Sequence, residues 1–257
     1  MSFLKKLDKF FTEALFDTKW TCNVCGKEIF DGDYFCEECR KNLPFNDGIV
    51  CGHCGRSVVA PQDYCLSCKE RMIYVDYAKS VFVYDSPVDK MIQDFKYNGK
   101  KYFAEIFASI MNEAYSKFFF TPDYLVFPPM TEKSLKERGY NHSGLLAEKL
   151  SEYRGVPIFG GLYKKKETKR QARSGYEERR RNLKDAFGIL KDYKSQIDGK
   201  TFLIVDDVLT TGSTSEEIAK TLKSAGATEV VLFTLSSVKN LKSYIDEEEL
   251  MKLESLV

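Results

Sequence analysis

The stretch Phe202–Thr214, FLIVDDVLTTGST, decides the fold. Four apolar residues, Phe202 to Val205, lead into two adjacent acids, Asp206 and Asp207, and then into hydroxyls gathered around one glycine. A short apolar run bounded by turn signals reads as a buried strand. Neighbouring carboxylates repel, so a buried strand that runs into two of them calls for a ligand that reconciles them. Thr210, Thr211, Ser213 and Thr214 supply hydroxyls and Gly212 lets the backbone approach closely. The helix predicted to begin at Ser213 adds unpaired N–H groups in its first turn, and phosphate satisfies all of these donors. A helix dipole alone contributes only about 0.3–1 kcal/mol, so the converging donors must supply most of the hold. Ribose hydroxyls and a Mg²⁺ ion are the natural partners of the paired acids. The plainer reading is a solvated acidic turn followed by an ordinary helix cap. Neither a Walker loop nor a G-x-G-x-x-G fingerprint follows this strand.

The surrounding sequence supplies a frame for this site. Beyond Tyr74, β-branched and aromatic runs alternate with helical stretches. They predict strands over 75–84, 123–128, 201–207 and 228–235, and helices over 88–97, 102–117, 144–153 and 213–225, the last closed by Gly226. The alternation predicts an α/β domain with a mostly parallel sheet flanked by helices. In such sheets ligands gather at the carboxyl ends of the strands, which is where Asp206 and Asp207 fall.

All eight cysteines lie between Cys22 and Cys68, in four C-x-x-C pairs: CNVC, CEEC, CGHC and CLSC. The halves repeat, each with glycine after its first pair and an aromatic before its third cysteine. The glycine frees the backbone to turn around a metal, so the segment reads as two zinc ribbons holding two structural Zn²⁺ ions. Sequential pairing puts Cys22, Cys25, Cys36 and Cys39 on one ion and Cys51, Cys54, Cys65 and Cys68 on the other; an interleaved cross-brace stays open. His53, inside a knuckle, reads as a turn residue. Four thiolates per ion leave no open position, so these metals are not expected to be catalytic. A disulfide framework would call for a secretory signal, which the sequence lacks.

The chain has 257 residues, 43% hydrophobic and 30% charged, with a formal net charge of +1, so global charge points to no partner. Locally, residues 164–184 hold ten lysines and arginines against three glutamates. Residues 1–20 read as an amphipathic helix docked on the protein or on a second copy, with loose attachment to a membrane surface as the alternative. No run approaches the roughly 18 apolar residues of a spanning helix, so no stable membrane insertion is expected and the cytoplasm is the default location. The resulting division is a helix over 1–20, a double zinc ribbon over 21–72 and an α/β domain over 73–257.

VDDVLTTGST resembles the phosphoribosyl pyrophosphate (PRPP) loop of type I phosphoribosyltransferases. YDSPVDKMIQDFKYNGKKY, KSLKERGYNHSGLLAEKL and RQARSGYEERRRNLKDAF resemble segments of the ComF (competence protein F, ComFC) subgroup, which also carries a double zinc ribbon before such a domain. The resemblance covers nearly all the chain beyond the first twenty residues. It implies the type I phosphoribosyltransferase fold, with Asp206 and Asp207 on the ribose hydroxyls and Thr210, Thr211, Gly212, Ser213 and Thr214 around the 5′-phosphate. It further implies a pyrophosphate loop over 128–139 with Lys133 or Arg138 as charge partner, Arg138 and Mg²⁺ easing pyrophosphate departure, and a mobile loop over 170–181. His142 stands where the subgroup is expected to carry glutamine, and Arg173 and Ser174 stand near a usual leucine. The subgroup's association with natural transformation implies single-stranded DNA and the DNA-uptake machinery as partners. The ribbon residues Lys27, Arg40, Lys41, Arg56, Lys69 and Arg71, with Tyr34, Phe35 and Tyr64 for stacking, are the candidate contacts. The alternative is a metabolic enzyme that moves phosphoribose to a nitrogen nucleophile without DNA. Homo-oligomerisation is left open.

Overall fold

The computed structural model describes residues 21–30, 33–117, 120–166 and 181–239. The helix expected over 1–20 and nearly all of the loop expected over 170–181 lie outside the described residues. By packing, the chain divides into Met1–Leu43 and Pro44–Val257. The first zinc ribbon therefore falls in the first unit, and the second ribbon is part of the larger one.

The larger unit is built on a parallel sheet. β1 (Tyr77–Val83), β2 (Tyr124–Val126), β5 (Thr201–Leu209) and β6 (Glu229–Ser237) stand in the order β1-β6-β5-β2. A parallel pair needs a long crossover, and the helices supply it. Central strands covered on both sides read as continuous apolar runs, and Phe202 to Val205 and Val230 to Leu232 are all fully buried. Each such side chain contributes about 1.5–3 kcal/mol by leaving water.

Helices α3 (Val88–Tyr97), α4 (Phe103–Tyr115) and α6 (His142–Arg154) were legible from their spacing, as was α7 (Ser213–Lys223). α7 ends two residues before the expected 225, and the chain then turns through Gly226 at φ +104°. α4 and α6 pack together, α4 lying on β1 and α6 on β2 and β5. Ile218, Ala219 and Leu222 of α7 pack in one core with Phe202, Ile204, Val230 and Leu232, and the same core takes in Cys51, Cys54, Cys65 and Cys68. A two-stranded antiparallel ribbon, β3 (Leu162–Lys164) with β4 (Phe187–Ile189), packs beside α7.

Residues 128–139, expected as a loop, contain the short helix α5 (Glu132–Arg138). Thr131 caps it by accepting from the Ser134 N–H at 3.3 Å, and Gly139 closes it in the left-handed conformation at φ +79°. Both signals stand in the sequence, one at each end of a run of good helix formers.

The second ribbon covers the outer edge of β1. The Ala78 N–H donates to the His53 carbonyl at 2.6 Å, Asn46 N–H to Val81 at 2.9 Å and Val83 N–H to Pro44 at 2.8 Å. An edge strand presents unpaired backbone groups, and these bonds satisfy β1 on the side away from β6.

Candidate functional site

The cysteines resolve into the sequential pairing. Cys22, Cys25, Cys36 and Cys39 form one cluster and Cys51, Cys54, Cys65 and Cys68 the other, with all ligand atoms in each within 4.8 Å of one another. Tetrahedral zinc with bonds near 2.3 Å requires sulfur–sulfur edges of about 3.8 Å. Cys25 to Cys36 and Cys54 to Cys65 are each 3.8 Å and Cys51 to Cys68 is 3.9 Å, far from the length of a disulfide. The residues therefore fit two structural zinc ions.

The two clusters share one local geometry. Cys22 N–H donates to Lys27 and Cys51 N–H to Arg56, while Gly26 and Gly55 N–H return to the carbonyls of Cys22 and Cys51. Both glycines have positive φ, the backbone turn that the C-x-x-C-G pattern requires. In each ribbon the second pair sits at a short helix, α1 (Glu37–Lys41) or α2 (Leu66–Arg71). His53 belongs to neither cluster; it stacks on Tyr64 with centroids 4.9 Å apart.

The acid pair lies at an opening in the sheet. β2 pairs with β5 only from Phe202 to Ile204, whereas β6 accompanies β5 as far as Leu209. From Asp206 onward, β5 has β6 on one side, and on the other α6 reaches it through Ser143. Ser143, in the first turn of α6, donates from Oγ to Asp206 Oδ1 at 2.7 Å, and the Asp207 N–H donates to the same oxygen at 2.9 Å. Asp207 Oδ1 meets Lys96 Nζ at 2.7 Å.

Lys96 comes from the last turn of α3 and is held there by the segment Tyr140–Ser143. The Tyr140 hydroxyl donates to the Phe95 carbonyl, and His142 Nε2 lies 3.0 Å from the Lys96 carbonyl. A carbonyl only accepts, so Nε2 carries the hydrogen. Asn141 caps α6 by accepting from Gly144 N–H at 3.0 Å and donates to the Pro128 carbonyl at 2.9 Å. Four consecutive residues thus each fix one element around the acids. Sequence reasoning assigned no role to Lys96, Tyr140, Asn141 or Ser143; the Asn before an apolar helix was the available signal.

Electrostatics follow from this packing. Burial and then the Asp207 charge push Asp206 up to about 7, against the pull of Ser143, the Asp207 N–H and Lys96. Lys96 loses hydration, which lowers its pKa, yet Asp207 and Asp206 outweigh that and raise it. Burial lowers His142, which packs edge-on against Phe95 and Tyr140. The buried histidine is therefore a neutral support.

The hydroxyl loop follows directly. Gly212 sits at φ +80° as the N-cap of α7, and Thr211 Oγ1 lies 3.0 Å from Ser213 Oγ. Thr210 is exposed and Ser213 buried, so the loop runs from solvent into the start of the helix. Lys133 is exposed on the first turn of α5, and Arg138 is half-buried at its end with a buried Nε that has no hydrogen-bond partner among the described residues. Neither makes a hydrogen bond or ion pair with Asp206 or Asp207 among the described residues. The structure brings together Asp206, Asp207, Lys96 and Ser143, with residues 210–214 leading from the end of the same strand into α7.

The ribbon residues offered as nucleic-acid contacts divide. Lys27, Arg40 and Lys41 pair with Glu38, Asp33 and Glu37 on the surface. Phe35 is buried and Tyr64 is half exposed. Arg56 must be withdrawn from that set, because it is 5% exposed and its Nη2 donates to the Thr210 carbonyl.

Among the described residues, no helix is long and apolar enough to cross a membrane. Residues 136–252 match the phosphoribosyl transferase domain family, and residues 11–69 match the double zinc ribbon domain family. The chain is 28% identical to competence protein F of Haemophilus influenzae, over 78% of this chain and 88% of that protein. It is 27% identical to the DNA utilization protein YhgH of Salmonella typhi, over 83% of this chain and 88% of that one. It is 25% identical to competence protein ComFC of Bacillus subtilis, over 86% and 92% of the two chains.

Proposed function

Starting from a relative of competence protein F and ComFC that joins a double zinc ribbon to a phosphoribosyl transferase domain, we propose that the chain binds PRPP with Mg²⁺ and serves DNA uptake. The observation that carries the PRPP reading is the open edge of β5, where a carboxylate pair runs straight into a hydroxyl-rich loop capped by a helix N-terminus. Asp206 and Asp207 accept from ribose hydroxyls, and residues 210–214 surround the 5′-phosphate. Lys96 balances the acid pair and lies within reach of the phosphoryl groups that the acids would repel. Lys133 and Arg138, on α5, are the cations assigned to pyrophosphate.

The donor set also suits magnesium, which takes carboxylate oxygens together with water and ligand phosphates. When bound, the ion would neutralise pyrophosphate charge. The protein's own contribution is placement: Ser143 fixes one Asp206 oxygen, and Tyr140 and His142 hold the turn that carries Lys96.

The role in DNA uptake is supported by what the relatives are called, one a competence protein and another a DNA utilization protein. The exposed ribbon cations Lys27 and Lys41, each beside an acid, add physical support.

Calorimetry with PRPP and Mg²⁺ tests the site on the wild type and on the double variant Asp206→Asn, Asp207→Asn. Binding to the wild type and at least a hundredfold loss in the double variant, with the fold retained by far-UV circular dichroism, is the expected outcome. Equal affinity in both would remove the acids from the site.

A further inference from the structure

The buried Arg56 raises a question of its own. A guanidinium stays charged, and burying one without a carboxylate partner is costly unless its surroundings compensate. Arg56 directly follows the Cys54-Gly55 turn of the second ribbon, and its hydrogen bond leaves the ribbon altogether, passing from Nη2 to the carbonyl of Thr210. Four thiolates around a divalent ion leave a formal charge of about −2, so the loaded cluster supplies the missing counter-charge.

The ribbon and the segment that leaves it toward β1 meet the phosphate loop at two more points. The Cβ of any residue replacing Gly212 would lie 3.7 Å from both Cγ and Sδ of Met72, so the end of the ribbon packs beneath that glycine. Glu216, in the first turn of α7, accepts from Ile73 and Tyr74 N–H at 2.9 and 3.0 Å through one oxygen and from Val75 N–H at 3.0 Å through the other. The segment from Thr210 to Glu216 is therefore held at its start and middle by the ribbon and at its end by the residues that follow it.

The Thr210 contact has a consequence for the opposite side. In a trans peptide the C=O and the following N–H point in opposite directions. With the Thr210 carbonyl drawn to Arg56, the N–H of Thr211 points the opposite way, away from that side chain.

We propose that Arg56 is a positioning residue for this cradle: it anchors the Thr210 carbonyl to the second zinc ribbon and so aims the Thr211 amide at the 5′-phosphate. This rests on the PRPP reading and deepens it. It also gives the second zinc ion a task that the first does not share, since the matching residue of the first ribbon, Lys27, pairs with Glu38 at the surface.

The test uses the full-length, zinc-loaded chain with Arg56→Met, which keeps bulk and removes the donors, and Arg56→Lys, which keeps the charge. Calorimetry is run with PRPP, ribose 5-phosphate and pyrophosphate, alongside zinc content and amide hydrogen exchange. Arg56→Met is expected to weaken PRPP and ribose 5-phosphate about tenfold, leave pyrophosphate unchanged, and speed exchange in 210–214 but not in 229–237. Arg56→Lys recovers part of both effects. Unchanged ribose 5-phosphate affinity in Arg56→Met, or equal loss of ribose 5-phosphate and pyrophosphate, overturns the assignment. Should the wild type bind none of the three ligands, the PRPP reading fails, and unaltered exchange in 210–214 would separately remove Arg56 from its role. Should Arg56→Met fail to hold zinc, Arg56→Lys decides by the same comparison.

Discussion

Asp206 is the residue at which folding and ligand binding pull in opposite directions. Its carboxyl is pushed up to about 7, first by burial and then by the neighbouring Asp207. A carboxyl raised by folding contributes stability that is fully present below its ordinary value near 4 and is lost as pH climbs through about 7. Accepting from ribose hydroxyls requires the carboxylate, so binding favours the deprotonated form. PRPP affinity is thus expected to rise up to about tenfold per pH unit toward pH 7 and to level off above it. Phosphate groups titrate near pH 6 as well, so Asp206→Asn is the control, and it should lack the Asp206 step while keeping the ligand's own. A wild-type pH profile identical to that of Asp206→Asn would show that Asp206 does not titrate on binding. The acids themselves were legible as an oddity of sequence. Lys96 was not, because nothing near it in the chain signals a partner 111 positions further on; α3 and β5 meet only in the folded protein.

At the scale of elements, the second ribbon and β1 are fitted too closely to separate without damage. A Cβ on Gly55 would lie 2.5 Å from the Ala78 carbonyl oxygen and 3.1 Å from Lys79 Cα, and Gly55 also has φ +65°. Gly26 holds the same place in the first ribbon with φ +74° but has nothing within 4 Å of its Cβ position among the described residues. Gly26→Ala therefore carries only the left-handed strain of about 1–2 kcal/mol, confined to its own ribbon. Gly55→Ala adds a clash with backbone and is expected to destabilise the larger unit by more than about 2 kcal/mol. Thermal unfolding followed by far-UV circular dichroism checks the pair, and equal shifts for the two variants would contradict the docking of the second ribbon on β1. The repeat between the ribbons was plain in the sequence because cysteine and glycine spacing is local. The unequal packing of the two copies was not, since both carry the same pattern.

For the whole molecule, packing places the division at Leu43 and Pro44, inside the segment that matches the double zinc ribbon family. A chain of residues 44–257 keeps the second ribbon, the cover on β1 and every residue of the proposed PRPP site. It is expected to fold, to carry one zinc ion and to bind PRPP as the full chain does. A chain of 73–257 loses the four buried cysteines from the core and uncovers β1, and it should unfold at a lower temperature or aggregate. Titrating both the full chain and 44–257 with a single-stranded oligonucleotide then asks whether the first ribbon contributes to DNA contact. A stable, PRPP-binding 73–257 would show that the second ribbon is dispensable to the domain.

The sequence by itself determined the parallel α/β frame, the cysteine pairs and the place of the acid-to-hydroxyl turn. Each is written in local spacing: apolar runs, C-x-x-C-G turns, and a glycine among hydroxyls. Tertiary structure decided what each local piece is used for. Lys27 and Arg56 occupy one position of a repeat, yet one lies on the surface beside Glu38 and the other is buried against Thr210. Burial and long-range partners depend on which surfaces meet, and no short window of sequence contains both sides of a contact.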